Sequence, residues 1–403
     1  MIGLAYTDAR GRIFYDPAYA PLADGGLERA PTGEELIPAP PGTVPTMLPG
    51  RAPLLAGGRP AERRTALGAL LPAGYTRLLL PAYRRRADAP ALPLFGYTFA
   101  CVVDDELYVA AMRTDASEDW APRTYAAGEL EALLARRQAE DPRNRTLAQL
   151  ALCSREYGCF TAQNVFLERG EAALPVSPRC NAACVGCISE LTPDAGLPSP
   201  QTRVDFEPEV DDLARIAIRH LERVPDGIVS FGQGCEGEPL LRVTTIERTI
   251  ERIRAAVTNG TINLNTNGSL PKSLRRLIDA GLQAVRISVN SFRPEVYAAY
   301  YRPTGYDLND VLASIALAVD AGLRVSLNYL THPGITDERA EVEAFEAFLG
   351  AHPVAMVQTR TLNIDPERYF AAVGRPTDPL GMRVALQRIE RLGIALGNFT
   401  HTH

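Results

Sequence analysis

A regular alternation of short apolar runs and longer amphipathic segments, beginning near residue 170, constrains the fold of this chain most strongly. Apolar residues recur at helical spacing in the longer segments, and β-branched or apolar residues fill the shorter ones. The pattern predicts strands at 172–176, 227–231, 261–265, 284–289, 324–330 and 355–360, and helices at 210–224, 244–257, 272–281, 307–322, 339–350 and 380–392. Because strands that alternate with helices form parallel sheets, residues 166–395 are predicted to be an α/β unit. This unit is either an open doubly wound sheet or a partial (β/α)6 TIM-like barrel.

The first 165 residues lack this alternation, and we expect them to form a smaller α+β N-terminal domain. Segments 2–16 and 95–114 have the pattern of β-hairpins, and residues 130–158 have a helical pattern. Residues 396–403 are expected to be a short tail after the α/β unit.

The composition is that of an ordinary globular protein, with 46% hydrophobic and 22% charged residues. A net charge of −6 makes nucleic acid an unlikely partner. The sequence contains no apolar run long enough to span a bilayer and does not begin with the basic-then-apolar pattern of a signal peptide. We therefore expect a cytoplasmic protein with no membrane partner.

Three of the seven cysteines fall within the eight residues CNAACVGC, from Cys180 to Cys187. In a reducing compartment such a cluster indicates metal binding or catalysis rather than disulfides. Thiolates bind zinc and iron–sulfur clusters, usually through four protein ligands, and three ligands on a four-iron cluster leave one iron open. A structural zinc site completed by a distant residue, or three small buried side chains, remain alternatives by spacing alone.

The cysteine motif follows the first predicted strand, at the sheet edge where α/β proteins place their ligands. Further motifs follow the next strands in order, and they are FGQGCEGEP (231–239), NTNGS (265–269), SVNSF (288–292) and NYLTHPG (328–334). Over residues 170–395 the chain resembles the radical SAM superfamily in its Cys-x3-Cys-x2-Cys spacing, its glycine-rich loop and its Thr-Asn-Gly motif. The loop departs from the family pattern, because Glu236 separates Cys235 from Gly237 where two adjacent glycines are usual.

The resemblance implies that Cys180, Cys184 and Cys187 hold a catalytic [4Fe–4S] cluster whose fourth iron is chelated by S-adenosylmethionine. It also implies a group of cofactor-binding residues, which are Gly234, Glu236, Gly237, Glu238, Asn267, Ser288, Asn290 and Asn328. Glycines allow the backbone to approach a ligand closely, and a glutamate suits the methionine ammonium group.

Several polar residues near strand ends also have a structural interpretation that the sequence leaves open. Asn267 has the pattern of a turn former, and Ser288 and Asn290 are equally suited to polar positions inside a barrel. His332 is either an acid–base group in the pocket or a turn residue.

Cysteines outside the motif are interpreted as free core thiols rather than as ligands of a second cluster. They include Cys153 and Cys159 before the first strand of the α/β unit, and Cys235 inside the glycine-rich loop.

The resemblance implies an enzyme that reductively cleaves S-adenosylmethionine and uses the 5′-deoxyadenosyl radical to abstract hydrogen from a substrate. Many peptide-modifying members of the family carry a cysteine-rich C-terminal extension, and no cysteine follows Cys235 in this sequence. A small molecule is therefore favoured over a peptide as the substrate. The N-terminal domain is expected to recognise the substrate, with Tyr97, Trp120 and Tyr125 as candidates, and a flavodoxin or ferredoxin to supply the electron. The alternative is an iron–sulfur electron-transfer or binding protein without S-adenosylmethionine turnover, which would have no need for the glycine-rich loop.

Overall fold

The structure is a computed structural model and describes residues 2–93, 96–115 and 127–398. Its N-terminal part is mainly antiparallel β-structure. The strands in chain order are β1 (Ile2–Thr7), β2 (Ile13–Asp16), β3 (Ala23–Asp24), β4 (Glu28–Arg29), β5 (Leu36–Pro38), β6 (Val44–Met47), β7 (Arg51–Leu55), β8 (Arg59–Pro60), β9 (Thr65–Leu70), β10 (Tyr75–Arg77), β11 (Leu80–Pro81), β12 (Tyr83–Arg85), β13 (Tyr97–Val103) and β14 (Glu106–Arg113). Both predicted hairpins are present, as the pairs β1–β2 and β13–β14.

Three helices connect this β-structure to the rest of the chain: α1 (Ala127–Glu140), α2 (Arg145–Glu156) and α3 (Phe160–Leu167). They divide the predicted helical segment at residues 141–144, where the Asn144 side chain caps α2 by accepting from the Leu147 amide at 2.9 Å. Helix α3 packs against the first strand of the following sheet. Of the three aromatic candidates, Tyr97 is buried, and Trp120 and Tyr125 lie outside the described residues.

The second part alternates strands and helices as the sequence predicts. In chain order it contains β15 (Glu171–Leu174), α4 (Val210–Arg223), β16 (Ile228–Phe231), α5 (Val243–Ala256), β17 (Thr261–Thr266), α6 (Pro271–Asp279), β18 (Ala284–Val289), α7 (Pro294–Tyr301), α8 (Leu308–Asp320), β19 (Arg324–Thr331), α9 (Arg339–Ala351), β20 (Met356–Thr361), α10 (Pro366–Val373), α11 (Met382–Arg391) and β21 (Ala395–Gly397). The strands are parallel and lie in sequential order.

Sequential order without a reversal excludes the doubly wound arrangement and leaves the partial barrel. All six predicted strands are present. Strand β21 is a seventh, and it begins at Ala395, one residue before the predicted tail of residues 396–403. This last strand has only three residues, too few for its sequence pattern to distinguish it from a helix end. Helices α7 and α10 were not predicted either, because each has only eight residues, and α7 also has weak periodicity.

The two faces of the parallel sheet differ in polarity. Val229, Leu264 and Ile287 are buried in the apolar core. On the opposite face Asn263 donates to the Ser230 hydroxyl at 3.0 Å, so polar side chains line the interior of the barrel.

The N-terminal β-structure packs against the barrel rather than standing apart from it. Buried Arg51 donates to the Asp365 carboxylate at 2.9 Å, and buried Arg77 donates to the Leu362 carbonyl at 2.9 Å. Apolar residues of both parts belong to one continuous core cluster. The division into two domains at residue 165 therefore stays a prediction. Within the described ranges, no helix combines the length and the apolar character needed to cross a bilayer.

Candidate active site

A cavity of about 970 Å³ runs through the barrel and reaches the cysteine motif. Cys180 and Cys184 border it at the carboxyl ends of the strands. The residues of the sequence-predicted site that line it are Cys180, Cys184, Gly234, Gly237, Glu238, Asn267, Ser288 and Asn328. The fold therefore brings most of the predicted residues to one space, although they lie on five different loops and strands.

The cysteine loop is fixed by helix α7. The amides of Ala183 and Val185 donate to the carbonyls of Tyr301 and Tyr300 at 3.0 and 2.9 Å. The chain leaving α7 donates in turn from the Thr304 amide to the Asn181 carbonyl at 2.8 Å. The loop therefore has a defined backbone path before any ligand binds.

The three thiols lie close enough to influence one another. Burial raises the pKa of Cys184 well above its usual value, and the neighbouring thiols of Cys187 and Cys180 raise it further. Burial also raises the pKa of Cys180, to about 11. Arg203 donates to the Cys187 sulfur at 3.6 Å, and its charge opposes the rise in the pKa of Cys180 and Cys184.

The thiols suit a cluster better than a single ion. Among the described residues, no three Cys, His, Asp or Glu side chains converge as ligands of one metal ion. A [4Fe–4S] cluster takes each thiolate on a different iron, so it accepts sulfurs that are spread around a larger centre. Cys180, Cys184 and Cys187 lie on one fixed loop, and the first two border the cavity, so the three thiols fit such a group.

The glycine-rich loop after β16 lies directly against the cysteine loop. The Gly237 amide donates to the Ser177 carbonyl at 2.7 Å, and the Glu238 amide donates to the Arg179 carbonyl at 2.8 Å. A β-carbon on Gly237 would lie 2.0 Å from the Arg179 carbonyl oxygen, so only glycine allows this approach. The two motifs that the sequence singled out are therefore joined through their backbones.

The Glu236 side chain forms hydrogen bonds to other parts of the protein and does not face the cavity. One carboxylate oxygen accepts from the amides of Val176 and Ser177, both at 2.7 Å, and the other accepts from the Gln233 amide at 2.7 Å. Burial raises the pKa of Glu236 to about 8, against the opposing effect of these amide donors. The side chain does not line the cavity, so the structure gives the inserted glutamate a role in joining the loops after β15 and β16.

Glu238 borders the cavity and also joins two loops. Its carboxylate accepts from the Leu240 amide at 2.9 Å, from the Asn267 amide at 2.8 Å and from the Thr266 hydroxyl. Burial raises the pKa of Glu238 to about 7. A cation bound beside this carboxylate would lower its pKa again.

Asn267 forms the turn that was one of its two interpretations, and it also lines the cavity, while its contact with a cofactor stays a prediction. Its side-chain oxygen accepts from the Ser269 amide at 2.9 Å, which is an Asx turn, and its amide group donates to the Asn181 side chain at 2.9 Å. The turn after β17 is thereby attached to the cysteine loop.

The polar residues of the next strands form a row inside the barrel. Ser288, Asn328 and Gln358 are neighbours in register on β18, β19 and β20, and all three line the cavity. Asn290 lies one residue past the end of β18, is fully buried and donates to the Tyr369 hydroxyl at 3.0 Å. It does not line the cavity, because the chain turns toward α7 at this point.

Three charged residues of the cavity wall were missed by the sequence analysis. Glu171, Arg286 and Arg360 occupy β15, β18 and β20, and Arg286 pairs with Glu171 at 3.4 Å. The available signal was the presence of charges within otherwise apolar strands, which is unusual unless a strand faces a polar lumen.

The remaining candidates are three cysteines outside the motif and one histidine. Cys153 and Cys235 are buried free thiols that hydrogen-bond to each other, an interaction that lowers the pKa of Cys153 to about 7. Cys159 lines the cavity, and its sulfur lies 3.4 Å from the Thr161 hydroxyl. His332 is fully buried against Tyr369, away from the cavity lining, and burial lowers its pKa well below the usual value.

Comparisons with known proteins agree with this arrangement. Residues 174–345 match the family model described as the radical SAM superfamily. The chain is 31% identical over 172 residues to a GTP 3′,8-cyclase of Limosilactobacillus fermentum, which covers 41% of this chain and 46% of the relative. It is 26% identical over 246 residues to the FeMo cofactor biosynthesis protein NifB of Klebsiella pneumoniae, covering 57% and 51%.

Among solved structures, a radical SAM methyltransferase from Sphaerobacter thermophilus is similar with a TM-score of 0.40 and 15% identity, over 56% of this chain and 64% of the other. The chain spans about half the length of the curated relatives it matches. The family match and the sequence relatives thus assign residues 174–345, rather than the whole chain, to the radical SAM superfamily, whose enzymes use a [4Fe–4S] cluster and S-adenosylmethionine.

Proposed function

We propose that Cys180, Cys184 and Cys187 hold a [4Fe–4S] cluster and that the adjoining loops bind S-adenosylmethionine. When bound, the two cofactors supply a 5′-deoxyadenosyl radical that abstracts hydrogen from a substrate in the cavity. The observation that carries this proposal is the backbone contact between the cysteine loop and Gly237, which brings both motifs to the same end of one cavity.

The protein residues position the cofactor rather than react with it. Gly234 and Gly237 line the cavity and let the loop pack closely on its neighbours, and Glu238 presents a carboxylate to the methionine ammonium group. Ser288 and Asn328 are further hydrogen-bonding groups of the cavity wall. Glu236 and Asn267 support this end of the site by joining its loops.

The substrate is proposed to be a small molecule held in the lumen of the barrel. An iron–sulfur protein that only transfers electrons would have no use for an internal cavity of about 970 Å³ beside its cluster. A reducing compartment such as the cytoplasm suits free thiols, and a flavodoxin or ferredoxin is the proposed electron donor.

The experiment is anaerobic. The protein is reconstituted with iron and sulfide, reduced with dithionite and incubated with S-adenosylmethionine, and 5′-deoxyadenosine is quantified. We expect slow formation by the wild type and none by Cys184→Ala. The matched control is Cys101→Ala, which removes a buried thiol from β13 and should leave formation intact. Formation by Cys184→Ala at the wild-type rate would refute the assigned site.

A further inference from the structure

Two arginines of the cavity wall lie close to each other. Arg286 and Arg360 both line the cavity, Glu171 pairs with Arg286, and Glu171 and Asp115 both lie near Arg360. Three other charged residues line the cavity. Glu238 is beside the cysteine loop, and Arg169 and Asp226 precede the strands β15 and β16 at the opposite end.

Arg360 lies within the fold, enclosed by protein groups, but its side chain keeps accessible surface toward the cavity. It projects from β20, and its guanidinium donates to the Asn398 carbonyl at 2.8 Å. Burial lowers the pKa of Arg360, and the neighbouring Arg286 lowers it further, against the raising effect of Glu171 and Asp115. A guanidinium nevertheless keeps its charge at neutral pH, so the exposed surface of Arg360 offers a cation to whatever fills the cavity.

Neutral polar groups beside Arg360 also lack good partners. The side-chain oxygen of Asn328 is buried without a hydrogen-bond partner among the described residues. Gln358, two residues before Arg360 and on the same face of β20, has its amide group 3.9 Å from the Met356 sulfur. Buried polar groups are normally satisfied, so these atoms indicate a polar ligand.

We propose that the substrate carries an anionic group, a carboxylate or a phosphate, that binds Arg360 in the wall of the cavity. Arg286, which pairs with Glu171, is the neighbouring cation, and the amide group of Gln358 on the same face of β20 is a second donor. This inference rests on the proposed function, since it describes the substrate of the same site. It assigns the cysteine loop to the cofactor and Arg360 to the substrate.

The test is calorimetric titration of the anaerobically reconstituted protein that is already saturated with S-adenosylmethionine. Inorganic phosphate and succinate are the probes, with chloride at matched ionic strength as the reference. We expect one of the two probes to bind, and Arg360→Gln to weaken that binding by about tenfold or more, the loss of a charge-assisted hydrogen bond. Arg360→Lys keeps the charge and should weaken binding less.

The matched control is Arg339→Gln, which removes a surface arginine that pairs with Asp378 and should leave binding unchanged. Preferential binding of phosphate indicates a phosphorylated substrate, and preferential binding of succinate indicates a carboxylate. Binding of neither probe, equal binding by Arg360→Gln, or binding only before S-adenosylmethionine is added would overturn the proposal. In the last case Arg360 would bind the cofactor's own carboxylate. The proposed function is judged separately, by formation of 5′-deoxyadenosine in the wild type.

Discussion

At the cysteine end of the cavity, polar side chains are bonded to other loops, whereas the wall of the lumen includes an amide oxygen without a partner among the described residues and an arginine with exposed surface. Both carboxylate oxygens of Glu236 accept hydrogen bonds from backbone amides, and these amides belong to two loops. The oxygens of Glu238 accept from an amide of its own loop and from an amide of the loop after β17. In the lumen, the oxygen of Asn328 has no partner in the described part of the chain, and Arg360 remains exposed.

The difference indicates two kinds of binding surface in one cavity. Loops that are cross-linked before a ligand arrives lose little conformational freedom on binding, as a fixed cofactor site requires. Buried polar groups without partners instead indicate a ligand that forms the missing hydrogen bonds. The comparison predicts that substitutions at the cysteine end lower stability or cluster content, and that substitutions in the lumen do not.

The largest effect is expected for Cys184→Ala. Removal of one of the three thiolate ligands should abolish cluster binding, because two protein ligands are too few to retain the cluster. Iron content and the brown charge-transfer absorbance measure this, with Cys101→Ala as the control. Full iron content in Cys184→Ala would show that the cluster is held elsewhere.

Gly237→Ala should come next. The added methyl group would lie 2.0 Å from the Arg179 carbonyl, so the two loops must separate, at a cost of about 1–3 kcal/mol. We expect a lower thermal midpoint and loss of S-adenosylmethionine binding. Gly350→Ala is the matched control, since a β-carbon at this helical position meets nothing within 4 Å. Equal behaviour of the two variants would contradict the loop contact.

Glu236→Gln tests the inserted glutamate. The substitution replaces one carboxylate oxygen by an NH2 group, which is a hydrogen-bond donor. Because this donor faces backbone N–H groups that are also donors, the unfolding free energy should fall by about 1–3 kcal/mol. Thermal unfolding of the reconstituted protein measures the effect. An unchanged midpoint would mean that the glutamate is not a structural link.

The smallest effect is expected for Asn328→Ala in the lumen. Its one side-chain hydrogen bond, to the Ser288 hydroxyl, is long at 3.4 Å, and its oxygen has no partner in the structure as described. The unfolding free energy should therefore change by less than about 1 kcal/mol. A loss as large as that of Glu236→Gln would remove the distinction between the two ends.

Much of the fold was predictable from sequence, because six short segments rich in apolar or β-branched residues alternate with longer amphipathic helices. The short elements were not, since three residues of β21 or eight of α7 give no reliable period. At the site, the cysteines and Gly237 were recognisable by motif. The role of Glu236 was not, because it depends on amides of Val176 and Ser177, sixty and fifty-nine residues away.

The central claim, that S-adenosylmethionine binds at the cluster held by the cysteine loop, is tested most directly by electron paramagnetic resonance. The spectrum of the reduced, reconstituted protein is recorded with and without S-adenosylmethionine. A shift in the cluster signal on addition of S-adenosylmethionine is the predicted result, because the ligand would bind the open iron. An unchanged signal from protein with full iron content would contradict the account and favour an iron–sulfur protein that does not bind S-adenosylmethionine.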